Sequence, residues 1–453
     1  MSRLRLAAAA LAVLIAVPAR AQEQIELFTV TDIAQTRMVN VDATVRGFGD
    51  VLVVTPLTHV PTDYLNRATA VSGGRYVAWL AQSVNYPGSD LFLFDRRTRT
   101  VSTATTALPP APPGARSASF FSLLGADPHR PRLFVVEQQF SPNPVQTVWT
   151  IDLRGGAPVA LATLDWSVYG FGYAAETDEA FINESGGPGP ATMLVVNATT
   201  GGEVRRFTRP LASFGALTEP AGRVVWVNDG LGMHTLDART GAVLATSTAF
   251  QATLSTYDPA RGVLLARQSD FLVVVDPLRL TEIGRARVAF TPQQSQMSES
   301  TETLLGRWMT GAYVVRSSFR YGNTTCNEIS IEALDPAGAI RATADILSRL
   351  GPGGNAACYA RGFLFRSPFA PTALASSVAD NVVSLTWKDP GDTTHFELEF
   401  GFAPGQRAGA ITVGQTTSVG IPGVPPGVYY VRVKAQNDVG PSPLSNEVRI
   451  VVP

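Results

Sequence analysis

Lysine is nearly missing from this 453-residue chain: of its 36 basic residues only Lys388 and Lys434 are lysines. The bias reads as a high-GC bacterial coding preference rather than as a set of chosen guanidinium sites, although an arginine-rich surface pairs and stacks differently from a lysine-rich one. Net charge is also small, −1 at neutral pH, so no basic footprint for nucleic acid is present. Charged residues make up only 16% and apolar residues 45%, which excludes global disorder and leaves ample material for a core. Histidine is scarce, with four copies: His59, His129, His234 and His395. They are scattered, and with no His-x-x-x-His pair or His/carboxylate cluster they give no sign of a catalytic metal.

Long hydrophobic runs are absent apart from Leu6–Val17. At 1.5 Å per residue that run spans about 18 Å, too short for a hydrocarbon core of about 30 Å. Arg3 and Arg5 precede it and Ala19-Arg20-Ala21 follows, the order of a secretory signal cleaved before Gln22. Residues 1–21 are therefore expected to be a signal peptide, leaving a secreted bacterial protein, extracellular or periplasmic, with no membrane span. There is no cysteine at the cleavage point and no paired arginine ahead of the run, which points to general secretion without a lipid anchor. The two cysteines, Cys326 and Cys358, can pair in an oxidising compartment. Such a disulfide would close a loop of about 30 residues, worth about 3–4 kcal/mol in the chain-entropy picture.

Abundant residues carry the fold. Gly 40 and Pro 32 suit many short strands joined by turns. A unit recurs: a polar turn, an apolar strand, a break, a second apolar strand ending in Asp or Asn, a tight turn and a third strand. One copy runs Glu219-Pro220-Ala221-Gly222, Val224–Val227, Asn228-Asp229-Gly230, Met233–Asp237, the turn Ala238–Gly241, then Ala242–Thr246; the next spans Asp258–Asp276. Other second strands close at Asp95, Asp152, Asn197 and Asp335. The anchor side chain accepts hydrogen bonds from backbone amides two residues on, and the following glycine takes positive φ. Strands apolar on both faces must lie between neighbouring sheets. Units of 40–50 residues with three or four antiparallel strands predict an all-β fold, a β-propeller. Six blades are visible from about Val71 to Leu350. Ile25–Val60 and Tyr359–Arg366 would supply a seventh from both ends, which favours seven blades over six or eight. The copy around Val225–Thr246 resembles the YVTN-type and quinoprotein-like propeller families, over roughly residues 22–366. That resemblance implies a scaffold used by surface proteins, dehydrogenases, lactonases and lyases alike.

Residues 367–453 follow another pattern, with alternating strands at Val382–Trp387, Phe396–Phe400 and Tyr429–Asn437. This segment resembles a fibronectin type III domain, an immunoglobulin-like β-sandwich. Trp387 matches its buried strand tryptophan, and Tyr429 matches the tyrosine whose hydroxyl bonds backbone.

No Gly-x-Ser-x-Gly elbow, phosphate loop or calcium loop occurs, so neither a catalytic residue nor a cofactor is assigned. One constellation remains. The first long strands of several units end in polar residues: Gln82, Glu137, Asn183-Glu184, Asn228-Asp229, Arg267 and Arg307-Trp308. In a propeller they would gather near one rim, a candidate site for a glycan, a polar peptide or a surface protein. Trp79, Trp149, Trp166 and Trp226 are expected to fill gaps between blades. The favoured function is non-catalytic binding, with the fibronectin-like module as a spacer or adhesion element. The alternative is a propeller enzyme of lactonase, lyase or quinone-dependent dehydrogenase type with an axial site.

Overall fold

The computed structural model describes residues 23–453 except for short stretches between elements, the longest being 58–68, 110–118, 288–297 and 351–358. The expected signal peptide and Cys358 lie outside the described residues, and no disulfide occurs among them.

Strands come in sets of four. Sheet one holds β1 (Glu23–Asp32), β2 (Gln35–Thr44) and β3 (Gly47–Leu57). Sheet two comprises β4 (Thr69–Val71), β5 (Tyr76–Gln82), β6 (Ser89–Asp95) and β7 (Thr100–Thr103). Sheet three comprises β8 (Ser119–Ala126), β9 (Arg132–Gln139), β10 (Val145–Asp152) and β11 (Val159–Leu164). Sheet four comprises β12 (Val168–Ala174), β13 (Glu179–Glu184), β14 (Ala191–Asn197) and β15 (Glu203–Arg209). Sheet five comprises β16 (Phe214–Thr218), β17 (Val224–Asn228), β18 (Met233–Asp237) and β19 (Val243–Ser247). Sheet six comprises β20 (Thr253–Asp258), β21 (Val263–Gln268), β22 (Phe271–Val275) and β23 (Glu282–Arg287). Sheet seven comprises β24 (Ser298–Trp308), β25 (Gly311–Arg320), β26 (Cys326–Leu334) and β27 (Ile340–Asp345), followed by the single-turn α1 (Leu347–Leu350). The chain then returns to sheet one as β28 (Tyr359–Arg366), giving the order β28-β1-β2-β3.

Each sheet is an antiparallel meander, and its neighbours in sequence are its neighbours in space. The first strands of successive sheets, from β4 through β8, β12, β16, β20 and β24 to β28, contact one another in turn. Apolar clusters fill the gaps between sheets. Val135 and Ile151 of sheet three meet Ala78 and Leu91 of sheet two, while Phe134 and Val136 meet Ile182 and Leu194 of sheet four. Phe181 and Val195 meet Val225 and Leu236; Trp226 and Met233 meet Leu264 and Val273; Val315 and Ile329 meet Leu27 and Val39 of sheet one. Strands apolar on both faces are what this arrangement requires, because each sheet is covered on both sides. Trp79 and Trp226 are both buried. Trp226 Nε1 donates to the Pro277 carbonyl across the gap to sheet six (2.8 Å). The fold is all-β and propeller-like.

The anchor turns take the form their residues dictate. Asp237 Oδ1 accepts from the amides of Arg239 (2.9 Å) and Thr240 (2.8 Å) and from the Thr240 hydroxyl (2.9 Å). Asn197 repeats the pattern with Thr199 and Thr200, Asp95 with Arg97 and Thr98, and Asp276 with Leu278 and Arg279. The fourth residue after each anchor is left-handed: Arg99 at φ 58°, Gly201 at 73°, Gly241 at 74° and Leu280 at 52°. Two copies therefore hold this conformation without glycine, at a local cost that packing offsets. Leu280 is buried in the sheet five–six cluster, and Arg99 pairs with Glu26.

The last segment is separate in pattern. It contains β29 (Thr372–Ala379), β30 (Val382–Lys388), β31 (His395–Gly401), β32 (Gly409–Val413), β33 (Ser418–Pro422), β34 (Gly427–Gln436), β35 (Pro441–Leu444) and β36 (Val448–Val452). A three-stranded sheet, β29-β30-β33, faces a five-stranded one in which β31 and β34 are central. Leu385 and Trp387 from one sheet and Phe396, Leu398 and Val433 from the other share one core. Trp387 and Phe396 meet edge to face, with centroids 5.4 Å apart.

Two glycines separate backbone strain from crowding. A Cβ at Gly241 (φ +74°) would lie 2.3 Å from Phe207 Cδ2, whereas one at Gly262 (φ +62°) meets nothing within 4 Å. Gly262→Ala should cost about 1 kcal/mol, and Gly241→Ala about 2–4 kcal/mol once overpacking adds to it. Calorimetric melting of both variants checks this; equal shifts would contradict the packing of β19's turn on Phe207.

Candidate functional site

The expected rim is built where the second strand of each four-stranded sheet ends, the strand that stands first among the long apolar strands of the sequence repeat. In an antiparallel meander these ends lie beside the starts of first strands, and the register shows it. Glu137 pairs with Phe121, Asn183 with Gly170, Asn228 with Phe214 and Arg267 with Thr253. Glu137, Asn183, Asn228 and Arg267 thus occupy equivalent places in four consecutive sheets. Asp229 lies outside the described residues.

Arg307 and Trp308 do not belong with them. They end β24, the first strand of sheet seven, and Trp308 pairs with Gly311 at the start of β25. First and second strands run in opposite directions, so these two residues sit at the opposite rim. The expectation of a common rim is corrected for this pair. The polar composition of Ser298–Glu302 conceals that β24 is a first strand, which makes its end resemble that of a second strand.

Glu137 is occupied structurally. It is 2% exposed; Gln139 Nε2 donates to its Oε1 (3.0 Å) and Trp149 Nε1 to its Oε2 (3.1 Å). The carboxylate therefore braces β9 against β10 and orients the Trp149 ring. Asn183 is fully buried, while Asn228 is half-buried. Glu184, next to Asn183, is half-buried with Arg206 Nη1 at 3.6 Å. Burial pushes the Glu184 carboxyl above its ordinary range; Arg206 opposes this and Glu203 adds to it.

A denser polar cluster, missed in the sequence, joins sheets three and four at the opposite rim. Arg132 Nη2 donates to Asp127 Oδ2 (2.7 Å), the Tyr173 hydroxyl (2.5 Å) and Asp178 Oδ1. The Thr199 hydroxyl donates to Asp178 Oδ2 (2.6 Å), and the Tyr173 hydroxyl lies 3.0 Å from Asp127 Oδ2 and 2.9 Å from Asp178 Oδ1. Burial raises the Tyr173 phenol, and the charge of Asp127 adds to that. Burial also raises Asp178, but hydrogen bonds from Arg132, Thr199 and Tyr173 outweigh it and hold the carboxyl below its usual value. Two carboxylates around one guanidinium make an inter-sheet clamp. The Asp127–Arg132 turn is its sequence signal; the partners on sheet four, Tyr173, Asp178 and Thr199, stand more than 40 residues further along the chain.

Among the histidines, His234 Nδ1 lies 3.1 Å from the Thr246 hydroxyl within sheet five, and His395 Nδ1 lies 3.0 Å from the Thr394 hydroxyl. His59 and His129 lie outside the described residues. Among the described residues no group of three His, Cys, Asp or Glu side chains is placed to hold a metal, and no helix is long and apolar enough to cross a membrane.

No known family profile matches the chain, and no curated protein matches it. Solved structures similar to it include a gluconolactonase from Xanthomonas campestris, 14% identical, covering 52% of this chain and 81% of that one, TM-score 0.34. Another is the WD40 domain of Toxoplasma gondii coronin, 12% identical, covering 71% and 79%, TM-score 0.32. A third is a nidogen/laminin complex, 13% identical, covering 64% and 98%, TM-score 0.37.

The Glu184 shift fixes a pH dependence. Its folded value is raised, so folding favours the protonated form, and that contribution is lost as pH rises from the ordinary glutamate value, 4.5, through the folded one. Glu184→Gln should therefore gain melting temperature relative to wild type between about pH 4 and pH 7. A difference between the two proteins that stays constant across this window would contradict the assignment.

Proposed function

We propose that the protein is a secreted bacterial binding protein: a seven-bladed propeller presents one rim to a glycan, peptide or surface protein, and a fibronectin type III module serves as spacer or adhesion element. The observation that carries this reading is the placement of Asn183, Asn228 and Arg267 at matching strand ends of consecutive sheets. Matching strand ends bring their adjoining loops to one rim, which would offer an extended binding surface rather than a single catalytic point, and such loops vary without disturbing the sheets. Support for seven blades comes from the seven four-stranded sheets among the described residues. Burial of Trp387 and the Tyr429 hydroxyl donating to the Pro425 carbonyl (2.9 Å) support the fibronectin assignment. The candidate signal at residues 1–21 supports export, and pairing of Cys326 with Cys358 is proposed for the same oxidising compartment.

Screening the full mature chain against glycan and peptide arrays tests the reading. For any captured ligand, Asn228→Ala and Arg267→Ala should each weaken binding at least about ten-fold, losses of about 1.4 kcal/mol or more. Arg307→Ala, at the opposite rim, should change it less than about two-fold. Binding that survives both rim substitutions would remove the rim from the account. Stoichiometric metal with a quinone absorption band in the purified protein would favour the enzymatic alternative.

A further inference from the structure

The C-terminal sandwich is open along one side. Strand β33 pairs with β30 alone and β32 with β31 alone, so the two edge strands leave a slot between the sheets. That slot is a cavity of about 300 Å³. Its floor is the shared core, including Leu385 and Leu398; its walls are Phe400, Ile411, Ile421 and Tyr429, closed at one end by the Pro422–Pro425 turn. No charged side chain lines it. The one phenol present is already committed, since the Tyr429 hydroxyl donates to the Pro425 carbonyl (2.9 Å), which leaves only its ring to face a guest. At the mouth Ile411 is 42% exposed, and Phe402, 61% exposed, lies with its ring 5.7 Å from that of Tyr429.

We propose that this slot is a binding site for a small neutral hydrophobic molecule, of two fused rings or a branched skeleton of about ten carbons. Size follows from volume: an apolar cavity of about 150 Å³ accepts benzene, and this one is about twice as large. Charge follows from the lining, because a carboxylate or ammonium placed here would lose its hydration with no partner in return. The site is independent of the propeller rim, so either assignment can fail without the other.

Titration of the full mature chain with 1-methylnaphthalene, followed by equilibrium dialysis, tests it. Saturable binding of one molecule per chain is expected, with naphthalene-2-sulfonate at least about ten-fold weaker. Ile411→Trp should fill the mouth and weaken binding at least about ten-fold; Val424→Trp, on the turn, is a second blocking variant should the first disturb β32. Val204→Trp, on the exposed edge of β15, should leave binding unchanged. Absence of saturable binding, equal affinity for the sulfonate, or equal effects of the slot and β15 substitutions would overturn the proposal.

Discussion

A closed ring of sheets has to be joined somewhere, and here it is joined between the two ends of the same domain. Strand β28 adds to β1 in an unbroken antiparallel register from Glu23↔Arg366 to Val30↔Tyr359. Against this composite sheet rests a buried charge cluster. Glu26, wholly buried, accepts from Asn40 Nδ2 (2.9 Å), Arg96 Nε (3.0 Å) and Arg99 Nη1 (2.8 Å) on its Oε1. Arg96 also donates to Gln24 Oε1 (2.6 Å) and lies over the Phe365 ring at 3.8 Å. One guanidinium from sheet two thus touches both strands of the seam. Removing one partner of such a buried pair typically costs about 3–5 kcal/mol, because the other charge is left stranded.

The rest of the ring depends on that closure. Each sheet buries both faces, so an unpaired end would expose apolar strand faces and a free edge at once. Between sheets the packing is mostly dispersion and apolar burial, with arginines added where gaps reach the rim. Arg132 clamps Asp127 to Asp178, and Arg205 holds Glu179 (2.7 and 2.8 Å) while its Nε donates to the Ala238 carbonyl of the next sheet (2.8 Å). Scarcity of lysine acquires a structural consequence here, since forked guanidinium contacts of this kind are beyond an ammonium.

Much of this was legible in the sequence, and the physical reasons are specific. Second and third strands announce themselves because they are buried on both faces and end in an Asx turn, as at Val224–Asp237. Joining of the two ends of the strand array was legible because Ile25–Val60 and Tyr359–Arg366 had no other partners. First strands were not legible. They pass close to one another, and small or polar residues interrupt their apolar runs at these approaches: a Cβ on Gly172 of β12 would sit 2.6 Å from Thr218 Cγ2 of β16. Strand ends were legible in the candidate rim, and side-chain direction was not: the Glu137 carboxylate turns to Trp149 and Gln139.

A closed seam makes a direct demand on exchange behaviour. Amide hydrogen exchange by mass spectrometry should show residues 23–32 and 359–366 protected alike in the native protein. In Glu26→Ala both segments should lose protection together, along with β5 and β6 of sheet two. Segment 359–366 remaining fully protected while 23–32 exchanges freely would contradict the claim that pairing of β1 with β28 closes the ring.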